Sequence, residues 1–359
     1  MKRRTIRTWL LACVVTLVVS DSDACLTFCL QEGTNCVYGR NFDWEVDVGV
    51  VIINQRHIRK TAFVLPPEKP LSWVSQYGSV TFNQFSRDIP VGGMNEEGLV
   101  IESLVSTAEH SPADKRSAIN ELQWIQYHLD ICKTVDDVIR SASAVRISKY
   151  AVSLHYFVSD PSGNSAVIEF IQGKMVHRTA DRLPVKVLAN TSYAHALETL
   201  PSQKGRFARA AQMITHYDSK KNAREYAFAL LDSVAQGAFT KWQVVYDISR
   251  RQIHFRTLRN RKIRRISMED CDFKHASEPL AYDVNGKGEG LVNKLFKAHT
   301  EELNNALMQS SLQELKTAGL MQHVTPEHIK HIRNVIASCK YEPLSNANKE
   351  LKATDKSAP

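Results

Sequence analysis

Asp21-Ser22-Asp23-Ala24-Cys25, followed by Tyr38-Gly39-Arg40-Asn41-Phe42-Asp43-Trp44, is the stretch on which the rest of the chain turns. Ahead of it, Lys2, Arg3, Arg4 and Arg7 form a basic head, and Trp9–Val19 is apolar apart from one Thr. That run is shorter than the roughly 20 residues a membrane-spanning helix needs. Ser22 and Ala24 are small, and stand where a signal peptidase reads them. Residues 1–24 therefore read as a secretory signal cut after Ala24, which leaves Cys25 as a new N-terminus and makes the protein exported, either periplasmic or secreted. The short apolar run speaks against an uncleaved anchor helix, and Ser22 stands where a lipidation signal carries Leu or Val.

Between the two parts of the stretch, Gly33, Thr34 and Asn35 are turn formers flanked by apolar and β-branched residues. The pattern predicts a strand from Cys25, a hairpin, and a return strand carrying Arg40 and Asp43. Pairing of the two strands brings both residues beside Cys25. A thiol with a pKa of about 8.5 and an α-amine of about 7.7–8.0 are closely matched, so an N-terminal cysteine holds a nucleophile and its base in one residue. A neighbouring cation, Arg40, favours the thiolate, and Asp43 is placed to hold the amine.

Farther along, the patterning predicts strands over 48–54, 73–83, 100–105, 151–158, 165–172, 185–190, 243–247 and 252–257. It predicts a glycine-bearing turn over 91–99. Helices are predicted over 118–131, 135–143, 205–217, 222–234, 291–299, 301–315 and 326–339, and a polar tail over 342–359. Strand and helix blocks in this alternation imply sheet layers covered by helices, an α+β chain.

Composition narrows the function classes. The chain has 359 residues, is 43% hydrophobic and carries a formal charge of +8. After residue 24, no run is long and apolar enough to span a membrane. The basic run from Arg250 to Arg265 contains Phe255 as its one aromatic residue, which reads as a solvated strand-loop-strand rather than a base-stacking nucleic-acid surface. His328 and His331 sit about one helical turn apart without a third ligand, so neither a metal nor a cofactor is expected. Of seven cysteines, Cys13 leaves with the leader; a free Cys25 then leaves Cys29, Cys36, Cys132, Cys271 and Cys339, an odd number of open connectivity.

Several blocks in order resemble the choloylglycine hydrolase family of conjugated bile acid hydrolases and penicillin V acylases, among the N-terminal nucleophile hydrolases. They are Cys25 after a cut, Gly39-Arg40-Asn41-Phe42-Asp43-Trp44, Tyr77-Gly78-Ser79-Val80-Thr81-Phe82-Asn83, Gly93-Met94-Asn95-Glu96-Glu97-Gly98-Leu99, Leu188-Ala189-Asn190 and Gly205-Arg206-Phe207-Ala208-Arg209. The resemblance implies a four-layer αββα sandwich. It implies an amidase domain over 25–320 and a helical segment with a polar tail over 321–359. It further implies Cys25 as nucleophile, Arg40, Asp43 and Arg206 as catalytic companions, and two oxyanion donors: the Asn190 amide and the backbone N–H of Val105. Val105 stands where bile acid hydrolases carry Asn and penicillin V acylases often Tyr, and Gly205 replaces a Ser. The short gap between Asn190 and Arg206 resembles the Gram-negative branch, which favours penicillin V and N-acyl homoserine lactones over bile salts.

The implied activity is hydrolysis of a linear, non-peptide amide with an apolar acyl group, through a thioester on Cys25. A conjugated bile acid hydrolase remains the alternative substrate reading. An inactive exported binding protein, with Cys25 oxidised to Cys29 or Cys36, is the alternative from another class. Assembly into a homo-oligomer is left open.

Overall fold

Strand β1 (Leu26–Glu32) and strand β2 (Asn35–Asp43) form the expected antiparallel hairpin, with Thr27 opposite Arg40 and Phe28 opposite Gly39. The computed structural model describes residues 25–32, 35–149, 152–202, 204–218, 220–274, 279–320 and 342–343; residues 1–24 and most of the C-terminal segment predicted over 321–359, including its helix over 326–339, lie outside these. A side chain on Gly39 would collide with the Phe28 ring, so glycine is what lets the two strands close here.

The hairpin sits in a seven-stranded sheet. Val187–Ala189 flanks β1, and Thr240–Asp247, Gln252–Thr257, Arg264–Ser267 and Gly290–Leu291 follow β2 in turn. A nine-stranded sheet packs on it; its centre is Leu154–Ser159, Val100–Val105, Pro90–Asn95, Ser79–Asn83 and Val50–Asn54. Aromatic rings knit the two sheets: Tyr38 meets Phe157 at 5.3 Å, and Phe82 meets Phe255 at 5.5 Å and Tyr246 at 6.3 Å, the last two edge-on. Such edge-to-face contacts add roughly 0.5–1.5 kcal/mol each beyond simple burial.

Helices cover the outer faces. α1 (Gln123–Ile131) and α2 (Val135–Ala144) lie on the nine-stranded sheet, where Trp124 stacks on Tyr156 at 4.1 Å. After the short α3 (Tyr193–Thr199), α4 (Gly205–Thr215) and α5 (Ala223–Ser233) lie on the seven-stranded sheet. α5 is tied down by Asn41, whose Nδ2 donates to Leu231 O at 2.8 Å. α6 (Glu301–Thr317) closes one edge through Ser311, which donates to Gln84 O at 2.6 Å. The layers run helix, sheet, sheet, helix, as the αββα reading requires. No described helix is long and apolar enough to cross a membrane.

Four local expectations are corrected. The single strand expected over 73–83 is two strands, Ser72–Val74 and Ser79–Asn83, in different sheets. Between them, Gln76 N and Tyr77 N both donate to Asp130 O, and the Phe273 ring fills the space a side chain on Gly78 would need. The expected turn over 91–99 is mostly strand, Pro90–Asn95, with only its end turning through Gly98 at φ +86°. The helix expected from Ala118 starts at Gln123, because Ala118–Ile119 pairs with Arg146–Ile147 and the Asn120 side chain accepts from Leu122 N and Gln123 N. The helix expected over 291–299 is instead two short strands flanking a single 3₁₀ turn at Asn293–Leu295, since Gly290 N and Val292 N donate to the neighbouring strand. Of the 321–359 segment, Glu342–Pro343 is described, paired with Ile58–Thr61.

The basic run is less solvated than its composition suggests. Arg264 is fully buried, with its guanidinium 4.7 Å from the Phe255 ring centre and donating to Val284 O. Arg259 pairs with Asp47 at 2.6 Å and Glu314 at 2.9 Å.

Candidate active site

Cys25 stands at the edge of β1, between β2 and Val187–Ala189. Leu26 pairs with Asn41 on one side and with Ala189 on the other, so the next residues outward, Asn190 and Phe42, flank Cys25. Strand alternation then sorts β2 onto two faces. Tyr38, Arg40 and Phe42 point toward the nine-stranded sheet. Asn41 and Asp43 point toward α4 and α5, where Asn41 meets Leu231 and Asp43 meets Arg206.

Cys25 is 5% exposed. Arg40 Nη2 donates to its sulfur at 3.8 Å, and the sulfur lies 3.6 Å from Asp43 O. Burial raises the thiol pKa, and the Arg40 charge works in the opposite direction. Arg40 is itself buried and pinned from below. Its Nη1 donates to Val91 O at 2.8 Å and to the Glu102 carboxylate, and the other Glu102 oxygen accepts from Tyr246 OH at 2.5 Å. Glu102 reaches that position through a gap opposite Gly92, where any side chain would collide with its carboxylate. Removing one partner of a buried ion pair of this kind costs about 3–5 kcal/mol, so the Arg40 orientation is rigidly held.

The Asp43 carboxylate is fully buried. One oxygen takes Arg206 Nη2 at 2.5 Å; the other takes the Thr240 hydroxyl. Burial pushes its pKa up, and Arg206 and Thr240 oppose that shift. Arg206 also donates from Nε to Val234 O at 2.5 Å, which links the N-terminal turn of α4 to the C-terminal end of α5. Asn190 Nδ2 donates to Val105 O at 2.8 Å, so the two residues expected as oxyanion donors are in contact. Each Asn amide has two N–H groups, and the contact with Val105 O uses one of them.

All six residues expected from the sequence therefore gather in two contact sets around the end of β1. Cys25, Arg40 and Asp43, with Arg206, form one chain of contacts; Asn190 and Val105 form the other. Sequence reasoning missed Glu102, Tyr246, Thr240 and Gly92. A signal for Glu102 existed: it is a lone acid inside Val100–Val105, a strand otherwise apolar but for Ser103. The alternative reading, in which Cys25 is oxidised to Cys29 or Cys36, meets a different arrangement, because Cys29 and Cys36 face each other with their sulfurs 3.2 Å apart.

Residues 25–200 match the linear amide C–N hydrolases, choloylglycine hydrolase family. A penicillin V acylase from Pectobacterium atrosepticum is 30% identical over 183 residues, covering 45% of this chain and 48% of that protein, so the match spans about half the relative's length. Among solved structures, a penicillin V acylase from Agrobacterium tumefaciens superposes with a TM-score of 0.69 at 23% identity, over 77% of this chain and 98% of that one. A conjugated bile acid hydrolase from Clostridium perfringens superposes at 0.61 and 18% identity, over 74% and 98%. These likenesses bear on the fold, and they agree with the αββα architecture described above.

Proposed function

Residues 25–200 belong to the choloylglycine hydrolase family of linear amide C–N hydrolases, and on that premise we propose that the mature protein is an exported amidase whose N-terminal Cys25 attacks a non-peptide amide. The observation that carries this reading is the Arg40 guanidinium against the Cys25 sulfur, held there by a buried carboxylate.

In the proposed cycle the Cys25 α-amine takes the thiol proton and the sulfur adds to the substrate carbonyl. The resulting oxyanion is met by the free N–H of the Asn190 amide and by the Val105 backbone N–H; one such donor is worth about 3–4 kcal/mol. Collapse breaks the C–N bond, and the leaving amine takes the proton from the α-ammonium. The acyl group is then a thioester on Cys25, which water cleaves with the α-amine again as base. Arg40 stabilises the thiolate before attack. Asp43, braced by Arg206 and Thr240, fixes the end of β2 beside the nucleophile.

For the substrate, we propose an amide with an apolar acyl group of the penicillin V or N-acyl homoserine lactone kind. The named acylase relative and the apolar Val105 side chain support this choice. A bile acid conjugate is the competing substrate. Release of amine from penicillin V, a long-chain acyl homoserine lactone and glycocholate, measured side by side on the processed protein, tests it. Turnover of either of the first two, abolished by Cys25→Ser, is expected. Exclusive cleavage of glycocholate would move the assignment to bile acids, and no cleavage of any would remove it. Against the inactive reading, Cys29 and Cys36 already occupy each other, which leaves Cys25 without a thiol neighbour among the described residues.

A further inference from the structure

A cavity of about 670 Å³ opens on the outer face of the seven-stranded sheet, beneath α5, and none of its lining residues belongs to the site around Cys25. Its walls follow from strand alternation. Phe255 and Arg264 point inward, the cation over the ring, so their neighbours His254 and Arg265 point outward; these two are paired across the strands. α5 crosses above them and contributes Arg224 near its N-terminus and Phe228 one turn on. Phe228, Ala229 and Ile263 make the apolar part of the lining.

The polar groups are unevenly matched. His254 is 2% exposed, and its Nε2 has no hydrogen-bond partner. Burial, and then the charges of Arg224 and Arg265, lower its pKa to about 4, so the ring is neutral at ordinary pH. Arg265 makes no side-chain hydrogen bond or ion pair among the described residues, and its Nε is buried without a partner. The two acids of the lining do not compensate it. Asp232 is engaged by Arg256 at 2.5 Å and Arg261 at 3.8 Å, and Glu225 is exposed beside Arg224 at 3.9 Å. A half-buried guanidinium without a counter-ion, next to an unpaired buried imidazole, is costly unless something supplies acceptors.

We propose that this cavity is a second ligand site, which takes a carboxylate attached to an apolar body. Arg265 and Arg224 hold the carboxylate from the sheet and from α5, His254 Nε2 makes a third polar contact, and Phe228 and Ile263 cover the apolar part. Pockets of a few hundred to about 1,000 Å³ suit ligands of this size, and guanidinium is the group best shaped for carboxylate.

Decanoate and its neutral isostere decanol are suitable probes, titrated by calorimetry into the full protein carrying Cys25→Ser, which removes the catalytic thiol but leaves this cavity intact. Decanoate is expected to bind, decanol to bind at least about tenfold more weakly, and Arg265→Gln and Arg224→Gln each to weaken decanoate by about tenfold. Arg265→Lys, which keeps the charge but not the planar fork, should bind decanoate more tightly than Arg265→Gln and less tightly than the parent protein, and Glu225→Gln should not weaken it. Melting curves identify any variant that fails to fold; if Arg265→Gln fails, Arg224→Gln and the decanol comparison decide. Decanoate affinity unchanged in the folded Gln variants, equal affinity for decanol, or no binding of decanoate to the parent protein would each overturn the proposal.

Discussion

Two buried thiol environments lie within five residues on one edge of the hairpin, and they differ in what faces the sulfur. Cys29 faces another thiol, Cys36, at 3.2 Å. Cys25 faces a guanidinium and a backbone carbonyl, with no second thiol among the described residues. Burial opposes ionisation of both. At Cys29 the hydrogen bond from Cys36 outweighs burial and lowers the pKa, whereas at Cys25 burial prevails over Arg40 and raises it. Burial is common to both thiols; what differs is the group each sulfur faces. A thiol facing a thiol is arranged for cross-linking. A thiol facing a fixed cation is, in the proposed cycle, the one that attacks.

The sharpest way to break this contrast is to exchange the roles by substitution. Cys25→Ser is expected to lower kcat/KM by about a thousandfold or more, because the hydroxyl is a much weaker nucleophile for the same base. Cys29→Ser should stay within a few-fold of the parent protein. Equal losses in amide-release assays would show that the two thiols are not distinct in function.

The next effect tests what holds the cation. Glu102→Ala is expected to destabilise the fold by about 3–5 kcal/mol in urea unfolding, since it strands Arg40 as a buried charge. Glu102→Gln keeps the shape and one acceptor. It should cost less stability while lowering kcat/KM by about tenfold to a hundredfold through a loosened Arg40. A Glu102→Gln enzyme of full activity would separate Arg40 orientation from catalysis.

Much of this arrangement was legible beforehand. The hairpin follows from the turn formers Gly33, Thr34 and Asn35 between two largely apolar stretches, and it is the hairpin that brings the Arg40–Asp43 block back toward Cys25. Less legible was which way each side chain points. Arg40 and Asp43 are three apart on a strand, so they leave on opposite faces, and only the packed structure shows α4 supplying Arg206 to one face and Glu102 rising to the other. Glu102 and Gly92 are joined across two neighbouring strands, a long-range coincidence that local patterning does not encode. The misread helix at 291–299 has the same cause: its residues donate to a sheet edge that does not exist in the sequence until the chain has folded.

Oxidation probes the other half of the contrast. A disulfide needs sulfurs at about 2.05 Å, and a 3.2 Å separation between Cys29 and Cys36 leaves a short closing movement. Diamide should cross-link Cys29 to Cys36 while amidase activity is retained, as read by non-reducing peptide mass spectrometry and activity on one sample. A Cys25–Cys29 or Cys25–Cys36 peptide would contradict the assignment.

The smallest effect separates titration of the fold from titration of the site. His128, fully buried in α1, has its pKa lowered to about 3, chiefly by burial. Its unfolded pKa is about 6.5, so below that value the unfolded chain binds the extra proton and stability falls as pH drops toward the folded value. The loss should reach about 2 kcal/mol at pH 5. Urea midpoints at pH 7 and pH 5 should differ less in His128→Gln than in the parent protein; an equal difference would assign the acid sensitivity elsewhere.

In the proposed cycle, sulfur and amine act together on one terminal residue. N-terminal sequencing and intact mass of the purified protein, with amide turnover measured on the same preparation and on a form that cannot be cut after Ala24, tests this most directly. The expected result is an active species beginning at Cys25 and an inactive uncut form. Turnover by protein that still carries Ala24 would contradict it.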